Sequence, residues 1–242
     1  MPTQHVTKKR ILFLAVLLLL VQAIPALAQQ QFSIRLIGGR WAVYNLGVVI
    51  PVTPVGAHDA VVSALNIWNL AQLWFTRSYF PSGKVYYLNG SATGSIIFLF
   101  VNDIDAAGDC SPVVLGQSID SATIRISLTD ADGSPVATPW LLRIVLHELG
   151  HALGLGHSDY YNDLMYKAIW SLDQSPSTLD LFALYHLAEG STGGVVTLPS
   201  NMRYAIPPAR AVPEFSVGAP MALFGSVFSI AICLGRLRRR IG

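Results

Sequence analysis

Two unbroken apolar stretches stand near the ends of the chain, and between them the pattern turns to short alternating and helical segments. Residues 11–21 are apolar throughout and follow Lys8-Lys9-Arg10. A helix of that length rises only about 16 Å, too little for a hydrocarbon core of about 30 Å. Ala26-Leu27-Ala28 then gives the small-x-small pattern of a cleavage site. Residues 1–28 are therefore predicted to be a secretory signal peptide, with the mature chain starting near Gln29. An uncleaved anchor that takes in 22–28 is the alternative, and either way the body of the chain is exported. Residues 215–235 carry no charge and precede Arg236, Arg238, Arg239 and Arg240. That length crosses a bilayer, and the arginines place the C-terminus in the cytoplasm.

The middle of the chain has no internal repeat and predicts an ordered series of elements. Strands are expected at 32–37 and 41–50, with Gly38-Gly39 between them and Pro51 and Pro54 after. Residues 57–73 follow helical spacing, with Val61, Leu65, Trp68 and Phe75 near one face. Further strands are expected at 84–88 and 95–101, and 102–117 is expected to be a loop carrying Asp103, Asp105 and Asp109. Residues 123–128 alternate: Ile124, Ile126 and Leu128 face one way, Arg125 and Ser127 the other. That pattern fits an antiparallel or edge strand with one wet side. Asp130-Ala131-Asp132-Gly133 is a turn. A helix is then expected from Thr138, as N-cap, and Pro139, at its first position, through Leu153, with Gly154 stopping it. It is apolar almost all round, so it should lie buried at the centre of the domain. A last helix is expected at 178–188, capped by Ser177 and ended by Gly190. Residues 191–213, rich in Gly, Ser, Thr and Pro, are expected to be a linker. The resulting organisation is a signal peptide at 1–28, one domain at 29–190, a linker at 191–213 and a membrane anchor or sorting tail at 214–242.

Composition sharpens this reading. The chain has 242 residues, 52% hydrophobic and only 12% charged, against about 25% charged in an ordinary soluble domain. The excess sits in the two terminal stretches. The net charge of +2 also belongs to the ends, since 29–213 holds nine Lys and Arg against thirteen Asp and Glu. A mildly acidic body has no electrostatic footprint for nucleic acid. Of the two cysteines, Cys233 falls inside the second apolar stretch. That argues against a disulfide with Cys110, and against a cysteine-based metal site.

The chemistry lies on the central helix, in His147-Glu148-Leu149-Gly150-His151. Positions i and i+4 are neighbours on one helix face, so two imidazoles there can point at one metal. Two histidines and a glutamate on a buried helix are costly unless something binds them. Gly154 and Gly156 let the chain leave the helix and turn back, so His157 can complete a three-histidine set with a fourth position open for water. Neutral imidazoles suit Zn²⁺. The whole pattern is HExxHxxGxxH, far rarer than HExxH alone.

These residues resemble the zinc helix of the matrixins, the matrix-metalloproteinase family of metzincins: residues 147–158 are HELGHALGLGHS. Leu164-Met165-Tyr166 is similar to the family's Met-turn, at the family's spacing from His157. Leu179-Asp180-x-x-Ala183-Leu184-Tyr185 is similar to its C-terminal helix, and the Trp68 helix more loosely to its first helix. The resemblance covers roughly 40–190. It implies an α+β metzincin (zincin-like) fold. In that fold a twisted mixed sheet and two long helices stand above a cleft, with a small part below that holds the Met-turn and the final helix. It also implies that His147, His151 and His157 bind one catalytic zinc, that Met165 is a hydrophobic floor beneath it, and that Glu148 is the general base. A zinc-activated water would then attack a peptide carbonyl, making the chain a zinc metalloendopeptidase acting on polypeptides. Substrate is expected to lie extended along a sheet edge, with 122–128 the candidate edge and an ordinary interior strand the alternative. The pocket beside the zinc is expected to be walled by residues after Met165, such as Tyr166 and Trp170.

The sequence departs from the family in some respects. No cysteine precedes the Trp68 helix, so a cysteine-switch propeptide is absent. Cys110 is expected to be a buried, inert thiol rather than a gate on the zinc. The family's structural zinc and calcium loop is missing, and His58 and His186 stand alone. Asp103, Asp105 and Asp109 offer oxygens to a Ca²⁺ ion, although a solvated acidic loop is the simpler reading. The tail, Pro213-Glu214-Phe215 followed by the apolar stretch and the arginines, resembles the PEF-type sorting tails of archaeal surface proteins, which implies an archaeosortase-like processing enzyme. A permanent single-span anchor is the alternative. The competing functional classes are a catalytically idle surface or adhesion protein on a metzincin shell, against which the intact Glu148 and three ligands speak, and a zinc hydrolase acting on something other than peptides, against which the third histidine and the Met-turn spacing speak.

Overall fold

In the computed structural model residues 31–102, 106–168 and 175–207 are described. The expected signal peptide and C-terminal apolar stretch lie outside these residues, as do Asp103, Asp105 and Trp170. Among the described residues no helix is long and apolar enough to cross a membrane. The architecture is α+β. Strands β1 (Ser33–Leu36), β2 (Arg40–Trp41), β3 (Asn45–Val49), β4 (Tyr87–Gly90), β5 (Ile96–Val101), β6 (Gly108–Leu115), β7 (Ser118–Ser127), β8 (Leu155–Ser158) and β9 (Gly194–Thr197) are joined by helices α1 (Val55–Tyr79), α2 (Thr138–Ala152) and α3 (Thr178–Ala188).

The larger sheet runs β2-β7-β5-β3-β4, with β6 also paired to β7. All its pairings are parallel except that of β6, which is antiparallel. One face is apolar, and Leu46, Val48, Ile96, Phe98, Ile124 and Ile126 are all buried on it. Helices α1 and α2 pack on each other and cover that side. The Trp68 indole N–H donates to the Leu146 carbonyl at 3.0 Å and pins the two helices together. The side-chain amides of Asn69 and Gln72 bond the backbone N–H and C=O groups of Leu88 and Tyr86 at 2.8–3.0 Å. They supply β4 with partners of the kind a further strand would give, which protects that edge.

The structure corrects the reading of 102–128. Strand β7 is interior, with β5 on one side and β6 on the other, so residues 122–128 are not the free edge. The alternation of Ile124 and Ile126 with Arg125 reports one open face of the sheet, where Ile97 and Leu99 are also exposed, and says nothing about backbone neighbours. Residues 108–115, expected to be loop, form the edge strand. Pro112 disguises β6 in the sequence, yet proline is tolerated at a sheet edge.

The second correction concerns 191–213. Residues 194–197 form β9, which pairs antiparallel with β1, and β1 pairs on its other side with β8. Leu198 and Met202 are buried. Thr178 Oγ1 donates to the Arg203 carbonyl at 2.9 Å and accepts from the Ala205 N–H at 3.0 Å. Residues through 205 therefore belong to the folded body, and the domain does not end at 190.

The boundaries of α2 and α3 agree with expectation to within a residue, while α1 is longer at both ends. Helix α2 is capped one residue earlier than expected, by Ala137, with Thr138 and Pro139 already helical. It ends as expected, since Gly154 takes φ +109°, a left-handed conformation that suits glycine. Helix α1 continues past 73 to Tyr79. Ser177 caps α3 in a full capping box with Asp180.

Candidate metal centre

Helix α2 carries His147 and Glu148, each only 6% exposed, among buried positions that are otherwise apolar. One turn further lies His151. After Gly154 reverses the chain, β8 brings His157 back toward both. One ligand nitrogen from each of the three imidazoles lies within 4.8 Å of the others.

Hydrogen bonding fixes how two of these rings point. His147 Nδ1 bonds the Leu164 carbonyl at 2.7 Å and His151 Nδ1 bonds the Leu155 carbonyl at 2.8 Å. A carbonyl only accepts, so each Nδ1 carries the proton and each Nε2 presents a bare lone pair. Those two Nε2 atoms face each other at 3.1 Å. Two lone pairs at that separation repel unless a cation sits between them. Tetrahedral zinc with Zn–N bonds of about 2.0–2.1 Å places its nitrogens about 3.3–3.4 Å apart, close to what is seen. The donor set therefore fits zinc. Burial, and then the neighbouring His151, pushes the His147 pKa down to about 3. Burial also takes His151 down to about 4. Both rings are thus held in the neutral form that binds metal.

Glu148 points toward the start of the edge strand. A Cβ added at Gly108 would stand 2.9 Å from Glu148 Cγ and 3.1 Å from its Oε1. Burial, and next the charge of Asp109, raises the Glu148 pKa to about 8. A nearby cation favours the ionised carboxylate, the form a base requires. Asp109 pairs with Arg125 across β6 and β7.

Met165 is fully buried and supports this helix from below. A Cβ on Gly150, between the two helical histidines, would stand 2.3 Å from Met165 Sδ and 2.9 Å from its Cε. Gly150→Ala should accordingly lower the stability of the metal-free protein by about 1–3 kcal/mol, overpacking that exceeds alanine's better helix propensity. Thermal melting with chelator checks this, and an unchanged or higher Tm would contradict it. The Met165 N–H bonds Asp163 Oδ1 at 2.9 Å, and the other Asp163 oxygen accepts from Ser177 Oγ at 2.6 Å. The cap of α3 thereby holds the Met165 turn. Asp180 in the same buried cluster is driven upward in pKa by burial and then by Asp163.

A cavity of about 310 Å³ opens beside His147 and Glu148, walled by Val136, Trp140, Ile144 and Lys167. Lys167 follows Met165, as expected for this wall; Trp140, at the start of α2, has no counterpart in the sequence pattern. Its role depends on where the turn after Met165 folds back over the start of α2, which no local pattern reveals. Tyr166 is not among the lining residues. Cys110 lies in β6 but outside the group of possible metal ligands, and burial raises its pKa, as for an inert thiol. His58 pairs with the neighbouring Asp59, and His186 packs against Phe182 and Tyr185.

Three imidazoles converging on one point, with a carboxylate beside them, form a group that could hold one metal ion. A family model described as matrixin matches residues 121–181, the span from β7 through α2, β8 and Met165 to the start of α3. This part of the chain is matrixin-like, and the match points to a zinc metalloprotease. Among solved structures, one titled "GM1 bound form of the ECX AB5 holotoxin" is similar at 14% identity and a TM-score of 0.43, over 67% of this chain and 89% of that one. A TM-score of that size does not establish a common fold. A search of curated proteins finds no match.

Proposed function

We propose that the chain is a metzincin-type zinc endopeptidase that cleaves polypeptides. The observation that carries this reading is the pair of imidazole lone pairs held face to face at 3.1 Å, with Glu148 adjoining and the matrixin match spanning both. His147, His151 and His157 are the residues that would hold the ion. When bound there, zinc supplies a Lewis acid for a carbonyl oxygen and lowers the pKa of water towards about 7. Glu148 accepts the proton of the attacking water as its oxygen bonds the peptide carbonyl carbon. It then returns that proton to the amine nitrogen as the C–N bond breaks.

Strand β6 offers the substrate an edge, since it pairs only with β7 among the described strands. An extended peptide can add to it by main-chain hydrogen bonds. The start of β6 passes close beside Glu148, with no room for a Cβ at Gly108, so a peptide laid there is delivered to the base. A side chain flanking the scissile bond would enter the cavity beside Trp140 and Lys167. Metal analysis of the purified protein should return about one zinc per chain. A zinc-free protein that takes up none on addition would remove this reading.

The protease is further proposed to act outside the cell, exported by 1–28 and tethered through 214–242. The tail is either processed at its PEF-type motif or retained as a span. Mass spectrometry of the protein from its native host should find no peptide beyond about residue 215 if the tail is processed. Stoichiometric recovery of 236–242 would leave only the permanent anchor, and recovery of the whole chain from the medium would defeat both.

A further inference from the structure

The three histidines are not held alike. His147 and His151 sit on a buried helix with their Nδ1 atoms anchored to carbonyls. His157 is the exposed member of the three. Its ring stacks on His147 and meets His151 edge-on, at centroid distances of 5.5 and 4.9 Å, and it has no hydrogen-bond partner among the described residues. Its position therefore rests on the backbone of β8.

Strand β8 in turn rests on β1. It lies at the end of the three-stranded sheet, and β1 is its strand partner there. Ile34 is opposite Ser158 and Leu36 opposite Leu155, and the Ile37 N–H reaches the Gly154 carbonyl at 3.1 Å. A Cβ on Gly156 would stand 3.1 Å from the Arg35 carbonyl oxygen. Just past the histidine, the Asp159 carboxylate accepts from both the N–H and the hydroxyl of Ser33, at 2.8 and 2.7 Å. The Asp159 N–H returns a bond to the Ser33 carbonyl at 3.0 Å. This three-bond clasp fastens β8 two residues beyond His157. On its far side β8 is fixed by the Ser158 N–H donating to the Met165 carbonyl at 2.9 Å. Strand β1 itself is backed by β9 in four register pairs and by Phe32 packed on Tyr160 and Tyr204, at 4.3 and 5.1 Å. Neither β1 nor β9 falls within the matrixin match at 121–181.

We infer that Asp159, through its clasp on Ser33, is a positioning residue for the third metal ligand, so that docking of β1 and occupation of the metal centre are thermodynamically coupled; this rests on the reading of the three histidines as a metal centre. The coupling is reciprocal by linkage. If β1 holds His157 in place, metal held by His157 also holds β1. Groups bonded directly to a metal ligand typically contribute about 10–100-fold in metal affinity; the clasp acts one step removed, through the backbone, so its contribution should lie near the lower end of that range.

The test is zinc titration against a competing chelator, together with amide hydrogen exchange, on the full chain. Asp159→Ala should weaken zinc binding by about 10-fold, the lower end of the range for groups bonded directly to a ligand. Asp159→Asn keeps an oxygen for the Ser33 N–H and should recover part of that loss. Ser33→Ala removes only the hydroxyl arm and should show a smaller loss in the same direction, which keeps the test available if Asp159→Ala does not fold. In the wild-type protein, zinc should slow exchange at 33–37 and 155–159 far more than in β3 and β5. In Asp159→Ala that local protection should shrink. Zinc affinity within about 2-fold of wild type in the Asp159 variants, or protection spread evenly over all strands, would overturn the inference. A wild-type protein that binds no zinc would instead overturn the metal-centre reading.

Discussion

Glu148→Gln should retain about one zinc per chain and lose peptide hydrolysis by at least about 10²–10⁴-fold, the usual contribution of a general base. The substitution is nearly isosteric, which matters here because the space between Gly108 and Glu148 is tight: a Cβ at Gly108 would stand 2.9 Å from Glu148 Cγ and 3.1 Å from its Oε1. The metal ligands are untouched, since Glu148 lies outside the converging set. The loss should fall on kcat, because the carboxylate acts on the proton of water and not on substrate binding. Removing a buried acid whose pKa stands near 8 should not destabilise the metal-free fold. A measured loss can then be assigned to chemistry. Unchanged cleavage by this variant would rule out Glu148 as the base.

The second large effect is expected from His157→Ala. Only two protein ligands would remain, His147 and His151. Loss of a mere outer partner costs about 10–100-fold in metal affinity, so loss of a ligand should cost more than about 10²-fold. The fold itself should survive, because His157 is exposed and its ring is no part of the core. A variant that binds zinc like the wild type would show that the third ligand is another group.

Much of the site was legible in the sequence because its signals are local. The spacing of His147 and His151 fixes them on one helix face. Gly154 marks the helix end, and Ser177 the next helix start, through capping chemistry that acts within a few residues. What escaped depends on contacts distant in the chain. The alternation of Ile124, Arg125 and Ile126 was correct as a statement about faces, but it is silent about neighbours, and the true edge was hidden in a segment holding Gly108, Asp109 and Pro112. Residues 194–197 are too short and too glycine-flanked to announce a strand. They become one only because β1 is there to pair with them. The same holds for the clasp between Ser33 and Asp159 and for the approach of Gly108 to Glu148, which exist only once the chain has folded.

Metal-dependent peptide cleavage at this centre is the central claim. Its most direct test is digestion of a diverse peptide library by the purified protein as isolated, after exhaustive chelation, and after zinc is restored. The expected result is cleavage at internal peptide bonds, lost on chelation and recovered as zinc approaches one equivalent per chain. Cleavage that persists without metal, or a fully zinc-loaded protein that cleaves no peptide in the library, would contradict it; the second outcome would leave a surface protein built on an idle shell.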